Sequence, residues 1–242
     1  MSKARELANL RGTPTDNNIL LQGTAGDAIT AGGGTYNFAA GLNAFGAGTT
    51  GDNNIAIGQT ALGAATVVTE SVAIGRCAMA GVTTGAAHCN VAIGFDALKG
   101  DSNTVGISNV AVGSFAAASI TTGKWNVAIG DNALEASQTG CNNVAIGNAS
   151  LSGAATTGIN NIAIGANSAD ALTSGACNIA MGINALGAAT DNCDNIAIGQ
   201  SALAASVNDA DNNVAIGKTA MGGACLLYTS DAADEGLGVD LG

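Results

Sequence analysis

The sequence is poor in the residues that build thick cores and charged surfaces. Aromatic side chains make up 3% of 242 residues, and much of the 47% hydrophobic share is alanine, which buries little area per residue. That excludes an ordinary three-dimensional hydrophobic core. Charged residues are 10% of the chain, well under half the roughly 25% of typical soluble domains. Lysine and arginine number 7 against 18 acidic residues, too few for a phosphate-tracking surface, so nucleic acid is not an expected partner. Proline occurs once, as Pro14, and histidine once, as His88. No apolar run is long enough to span a bilayer, and the opening MSKARELANLRGTPTDNN carries basic residues with no apolar segment behind them. Neither a secretion signal nor membrane insertion is expected of the chain.

What is abundant is glycine, 36 residues of it, and its placement is periodic. Gly41, Gly58, Gly75, Gly94, Gly113, Gly130, Gly147, Gly165, Gly182, Gly199 and Gly217 follow one another at intervals of 17, 17, 19, 19, 17, 17, 18, 17, 17 and 18. Two residues before each stands alanine: Ala39, Ala56, Ala73, Ala92, Ala111, Ala128, Ala145, Ala163, Ala180, Ala197 and Ala215. The flanking positions are Val or Ile, as in Ile55 and Ile57, except for Phe38 and Ala40 in the first copy and Met181 in the ninth, and four before the glycine is asparagine in ten copies of eleven, as in Asn54, with Ser71 the exception.

The alternation within Asn-Val-Ala-Ile-Gly predicts a short β-strand with the two aliphatics on one face and Asn, Ala and Gly on the other. A second apolar pair follows, such as Ala61-Leu62 or Ala133-Leu134, and then a turn such as Thr121-Thr122-Gly123. Each repeat therefore reads as one coil. A period of 17 to 19 is too short for helical-pair repeats, and β-branched residues oppose helix. The expected fold is all-β, a parallel β-solenoid of about eleven coils, each roughly 4.8 Å above the last. Stacking in register makes the asparagine column a ladder, with amides bonding one another or capping turns.

Burying two aliphatics inside a coil cannot offset the ordering of its backbone, so stability is expected from stacking and from neighbouring chains. The alanine face, flanked by Asn and Gly, is small enough for another backbone to approach, and threefold symmetry would close such an assembly without open edges.

The segments Asn53–Leu62 (NNIAIGQTAL), Asn126–Leu134 (NVAIGDNAL) and Asn212–Met221 (NNVAIGKTAM) resemble the head repeats of YadA-like trimeric autotransporter adhesins. The resemblance covers residues 37–221 and implies a left-handed parallel β-roll, a homotrimer and a role in surface attachment. The longer, Thr-Thr-Gly-rich repeats look more like arrays in bacteriophage tail fibres and other appendage proteins. The resemblance thus implies a virion appendage or other extracellular surface as the location, and a host-surface receptor or glycan as the partner. The head of a bacterial adhesin is the alternative, and a non-adhesive scaffold or ice-binding solenoid a further one. Ice binding calls for regular threonine ladders, and the threonines are read as lying in irregular turns.

Three segments are expected: an N-terminal attachment or cap segment (1–34), the repeat domain (35–224) and a tail (225–242). The run from Cys225 to Glu235, with Gly238 to Gly242, resembles a translated sequencing adapter, which implies a non-native tail and a natural chain continuing past Ala224.

Chemistry-bearing residues are scattered. Six cysteines include no C-x-x-C pair. Cys89, Cys141, Cys177 and Cys193 fall in turns and are read as free thiols, although Cys177 and Cys193 lie on adjacent coils at a spacing that a disulfide could span. His88 beside Cys89 lacks an orienting partner, and no second histidine serves the serines as a base. Asp52, Asp101, Asp191, Asp194, Asp209 and Asp211 are read as solvated turn carboxylates, since the calcium-roll pattern G-G-x-G-x-D is absent. Trp125 receives no role. No catalytic residue, metal or cofactor is expected; the residues that matter are those of the repeat, Asn54 to Gly58 and their counterparts Ala92 and Gly94, Ala128 and Gly130, Ala145 and Gly147, Ala163 and Gly165, Ala197 and Gly199, and Ala215 and Gly217.

Overall fold

The computed structural model describes residues 10–11, 17–21, 24–29, 33–83, 87–101, 104–153, 156–206 and 210–223; the tail from 225 onward lies outside them. Thirteen short strands form one sheet in sequence order: β1 (Leu10–Arg11), β2 (Ile19–Leu21), β3 (Phe38–Ala40), β4 (Ile55–Ile57), β5 (Val72–Ile74), β6 (Val91–Ile93), β7 (Val110–Val112), β8 (Val127–Ile129), β9 (Val144–Ile146), β10 (Ile162–Ile164), β11 (Ile179–Met181), β12 (Ile196–Ile198) and β13 (Val214–Ile216). From β2 onward all pairings are parallel and in register, so that Ala128 pairs with Ala111 on one side and Ala145 on the other. This is the β-solenoid anticipated from the repeat. It begins one rung before residue 35, because Ile19-Leu20-Leu21 stacks on Phe38-Ala39-Ala40 with Leu20 in the alanine column. β1 then runs antiparallel to β2.

Each coil bends through three left-handed residues that are not glycine. In the β8 rung these are Trp125, Asn132 and Leu134, with φ of 57°, 55° and 54°. Such conformations are individually unfavourable, and they are held by bonds to the adjacent rungs, as in Leu134 N–H to Ser150 O of the following rung at 2.9 Å and Asn132 N–H to Ser114 O of the preceding one at 2.9 Å. The left-handed turn at Leu134 rotates its side chain inward, so Ala133 and Leu134 are both fully buried although adjacent in sequence.

The two faces of the strand are the reverse of the sequence expectation. The alanines lie inside, at 1% exposure or less from Ala39 to Ala215, and the flanking valines and isoleucines point outward, half-buried or exposed. The cause is the width of the coil. Its interior already holds the leucine of the second turn and the asparagine side chain, which leaves one methyl group of depth on the strand wall.

The asparagines also point inward. Asn126 donates from Nδ2 to Gly140 O at 2.8 Å and to Asn109 Oδ1 at 3.1 Å, while its Oδ1 accepts the N–H of Asn143 at 3.0 Å. The amide thus joins three rungs and satisfies buried backbone groups. The column runs from Asn18 to Asn213. At its one exception, Ser71 Oγ accepts the N–H of Asn90 at 3.2 Å, so the chain of acceptors is unbroken.

The remaining corner is filled by exchange of volume between two positions. Leu172 is paired with Gly175, whose Cβ would lie 2.5 Å from the leucine Cδ1. In another rung the bulk is transferred, with Ala65 paired with Val68, both fully buried. Ala189 with Asn192 repeats the second arrangement but places a buried amide there, and neither its oxygen nor its nitrogen has a partner. Replacing Asn192 by valine, as found naturally at 68, is expected to stabilise the fold by about 1–3 kcal/mol. A denaturation midpoint equal to or below that of the parent chain contradicts this.

Candidate functional site

The repeat residues divide by location into a structural set and a surface set. Asn54 and Ala56, with Ala92, Ala128, Ala145, Ala163, Ala197 and Ala215, are buried in the coil. Gly58, Gly94, Gly130, Gly147, Gly165, Gly199 and Gly217 close each strand at φ between 127° and 140°. Ile55 and Ile57 belong to the surface, at 39% and 37% exposure. Because every rung repeats the pattern, the outward residues of β2 to β13 form an unbroken aliphatic stripe, two side chains wide and roughly 50 Å long at the usual rung spacing. A contiguous apolar patch of that length marks an interaction surface. One border carries Arg76, whose guanidinium lies 4.6 Å from the Phe95 ring centre, and Phe95 meets Phe115 edge-on at 5.1 Å. The other border is the left-handed column that holds Tyr36 and Trp125, 61% and 55% exposed.

The turn residues act as caps between rungs. Asp52 Oδ1 accepts from Thr35 N–H at 2.6 Å and Thr35 Oγ1 at 3.0 Å, and Asp211 Oδ1 accepts from Cys193 N–H at 2.6 Å. These two carboxylates are therefore bonded to the neighbouring coil, not merely solvated. Asp101 and Asp191 also have partners, and Asp209 lies outside the described residues. Cys141 and Cys193 occupy the same capping position, their sulfurs accepting from Lys124 and Ala176 N–H, each at 3.4 Å. Cys177 sits one column away, aligned with Asp194, and both Cys177 and Cys193 are free thiols.

His88 and Cys89 face different partners. The histidine Nδ1 accepts from Thr69 N–H at 3.1 Å and contacts Thr69 Oγ1 at 2.8 Å. Cys89 donates to Glu70 Oε2 at 3.3 Å, and this bond, with burial and the negative charge of Glu70 adding to it, raises the thiol pKa. A thiol held in its protonated form beside a carboxylate is the opposite of an activated nucleophile.

The threonines are more regular than the sequence suggested. Thr49, Thr66, Thr121 and Thr173 each stand in register and donate from the hydroxyl to the carbonyl of the following rung, at 3.1, 2.9, 3.0 and 2.9 Å. Their hydroxyls are thereby engaged within the rod, and the column is one residue wide.

A shallow groove near the first coils is lined by Thr24, Asp27, Asn43 and Thr60 over Gly46, Gly63 and Ala80. It gathers one carboxylate and no histidine or cysteine, so no acid–base pair converges there. The surface that distinguishes this molecule is thus the aliphatic stripe and its borders. No protein-family model matches the chain, and no curated protein or solved structure matches it.

Proposed function

We propose that the chain is a non-enzymatic structural and adhesive rod that assembles with two further copies of itself through the aliphatic stripe and serves attachment to a host surface. A phage tail fibre or similar extracellular appendage is the setting this reading favours. The observation that carries it is the outward placement of both strand aliphatics in every rung, including Ile129 at 39% and Met181 at 38% exposure. A chain that lived as a monomer would leave this stripe in water along its whole length, at about 25 cal/mol for each Å² left uncovered. A narrow straight stripe is covered on every copy when rods pack side by side about a common axis, and a closed cyclic arrangement leaves no stripe free.

Light scattering on the full chain tests the assembly. The expected mass is three times 23.2 kDa, and a stable monomer at micromolar concentration overturns the proposal. Ile129→Asp with Ile146→Asp, which places charges on adjacent rungs of the stripe, is expected to dissociate the trimer. Retention of the same mass by this variant places the contact elsewhere. Adhesion is tested separately, by binding of the assembled chain to host-cell envelopes, with loss of binding after competition by the soluble chain.

A further inference from the structure

Trp125 is the one tryptophan of the chain, and it stands 55% exposed in a left-handed backbone conformation, with φ of 57°. That conformation favours asparagine or glycine, and the next two rungs carry Asn142 and Asn160 at the same position, with φ of 57° and 59°. The indole therefore occupies a left-handed position that asparagine takes in the next two rungs, and more than half of it stays exposed. Among the described residues the cation that lies over an aromatic face is Arg76, on Phe95; no such contact ties Lys124 to the indole.

The backbone fixes the column. Trp125 N–H bonds Ile107 O at 3.2 Å, Asn142 N–H bonds Lys124 O at 3.0 Å, and Asn160 N–H bonds Cys141 O at 3.1 Å. Ser108, Trp125, Asn142 and Asn160 consequently stand one above another along the border of the stripe. Among the described residues, the hydroxyl of Ser108 and the amides of Asn142 and Asn160 make no side-chain hydrogen bond, and both asparagines are exposed. The column thus presents an aromatic face flanked by groups that both donate and accept.

We infer that Ser108, Trp125, Asn142 and Asn160 form a binding subsite for a neutral oligosaccharide lying along the rod. A pyranose offers an apolar C–H face, which stacks on indole, and a rim of hydroxyls that needs donors and acceptors beside it. Successive rungs are about 4.8 Å apart, close to the rise per ring of an extended, equatorially linked sugar chain. One ring on Trp125 places the following rings over Asn142 and Asn160. The net charge of −11 favours a neutral glycan over an anionic one. The inference rests on the attachment reading and names the ligand class and the place.

The single tryptophan is its own reporter. Intrinsic fluorescence of the full, assembled chain is titrated with cellotetraose and, separately, with chitotetraose. The expected result is a saturable change in Trp125 emission with at least one of them. Asn142→Gly, which suits the left-handed backbone, weakens binding several-fold by the same readout. Trp125→Gly, which relieves strain and is expected to fold, abolishes binding by calorimetry. No saturable change up to the solubility limit of either sugar overturns the inference, as does unchanged affinity in both variants. Emission already blue-shifted and shielded from acrylamide in the sugar-free assembly also overturns it, since Trp125 then lies in the contact between copies. Light scattering on the same samples separates the two readings: a trimer that ignores both sugars removes the subsite and leaves the rod.

Discussion

Gly130→Ala is expected to unfold the rod locally or prevent its formation, with a loss of more than about 4 kcal/mol, in the range reserved for severe core damage. A Cβ at this position would lie 2.5 Å from the carbonyl oxygen and 2.7 Å from the carbonyl carbon of Gly147. Those atoms are backbone, and Gly147 is itself tied to the β8 rung by its N–H bond to Ile129 O at 2.8 Å. Relief would require the rungs to separate, which breaks the ladder that holds them. The backbone adds its own cost, because φ of 135° is accessible to glycine and strained for alanine. Gly217→Ala is the matched control. Its φ is 127°, but among the described residues the nearest atom to its Cβ is the Ala220 Cβ at 3.9 Å. It is expected to cost only the backbone strain, about 1–3 kcal/mol. Urea unfolding of both variants decides the matter: equal losses would mean that the close approach of rungs is not what demands glycine.

Asn126→Ala is expected to cost about 3–5 kcal/mol, since it strands two buried backbone groups at roughly 1–3 kcal/mol each along with a lost side-chain bond. The carbonyl of Gly140 loses its donor and the N–H of Asn143 loses its acceptor. Asn126→Ser is expected to recover part of this. The hydroxyl of Ser71 shows how, by accepting the following N–H in the asparagine's place. A serine variant as damaged as the alanine one would show that the donor to the turn carbonyl, not the acceptor, carries the ladder. The order of the two unfolding midpoints is therefore more informative than either alone.

The spacing of the glycines and the Ala-Ile-Gly endings make the solenoid, its register and its rung length legible in the sequence. The direction in which each strand faces was not readable in the same way. Period-two alternation separates Ile55 and Ile57 from Ala56 but does not say which set is inside. Size suggested the isoleucines, and the true arrangement follows from crowding by residues elsewhere in the coil. Leu62 and Leu134 enter that interior through left-handed turns, a conformation for which leucine carries no sequence signal. The parity of Asn54 with Ala56 was the available clue. An amide that caps turn carbonyls from within has to lie on the buried side, and alanine shares that side.

The first rung carries no such signal for a related reason. Ile19-Leu20-Leu21 lacks the alanine and glycine of the motif, although Asn18 keeps its place, donating to Gly34 O at 2.7 Å and accepting from Asn37 N–H at 2.7 Å. At the surface, the sequence reads the aspartates and cysteines as turn residues. Their capping of the adjacent coil depends on contacts across 17 or 18 residues, which composition does not reveal. Trp125 receives no role from the sequence, and its exposure emerges only with the folded rod.

Because each strand pairs only with the strand before and the strand after it, length in this molecule is a countable quantity. Excising residues 127–143 joins Asn126 to Val144 and restores the motif across the seam. The product is a rod shorter by one increment of about 4.8 Å whose remaining layers keep their neighbours' chemistry. Duplication of the same segment lengthens it by the same step. Such a chain is a graduated ruler, and the distance between whatever it joins is written in whole repeats.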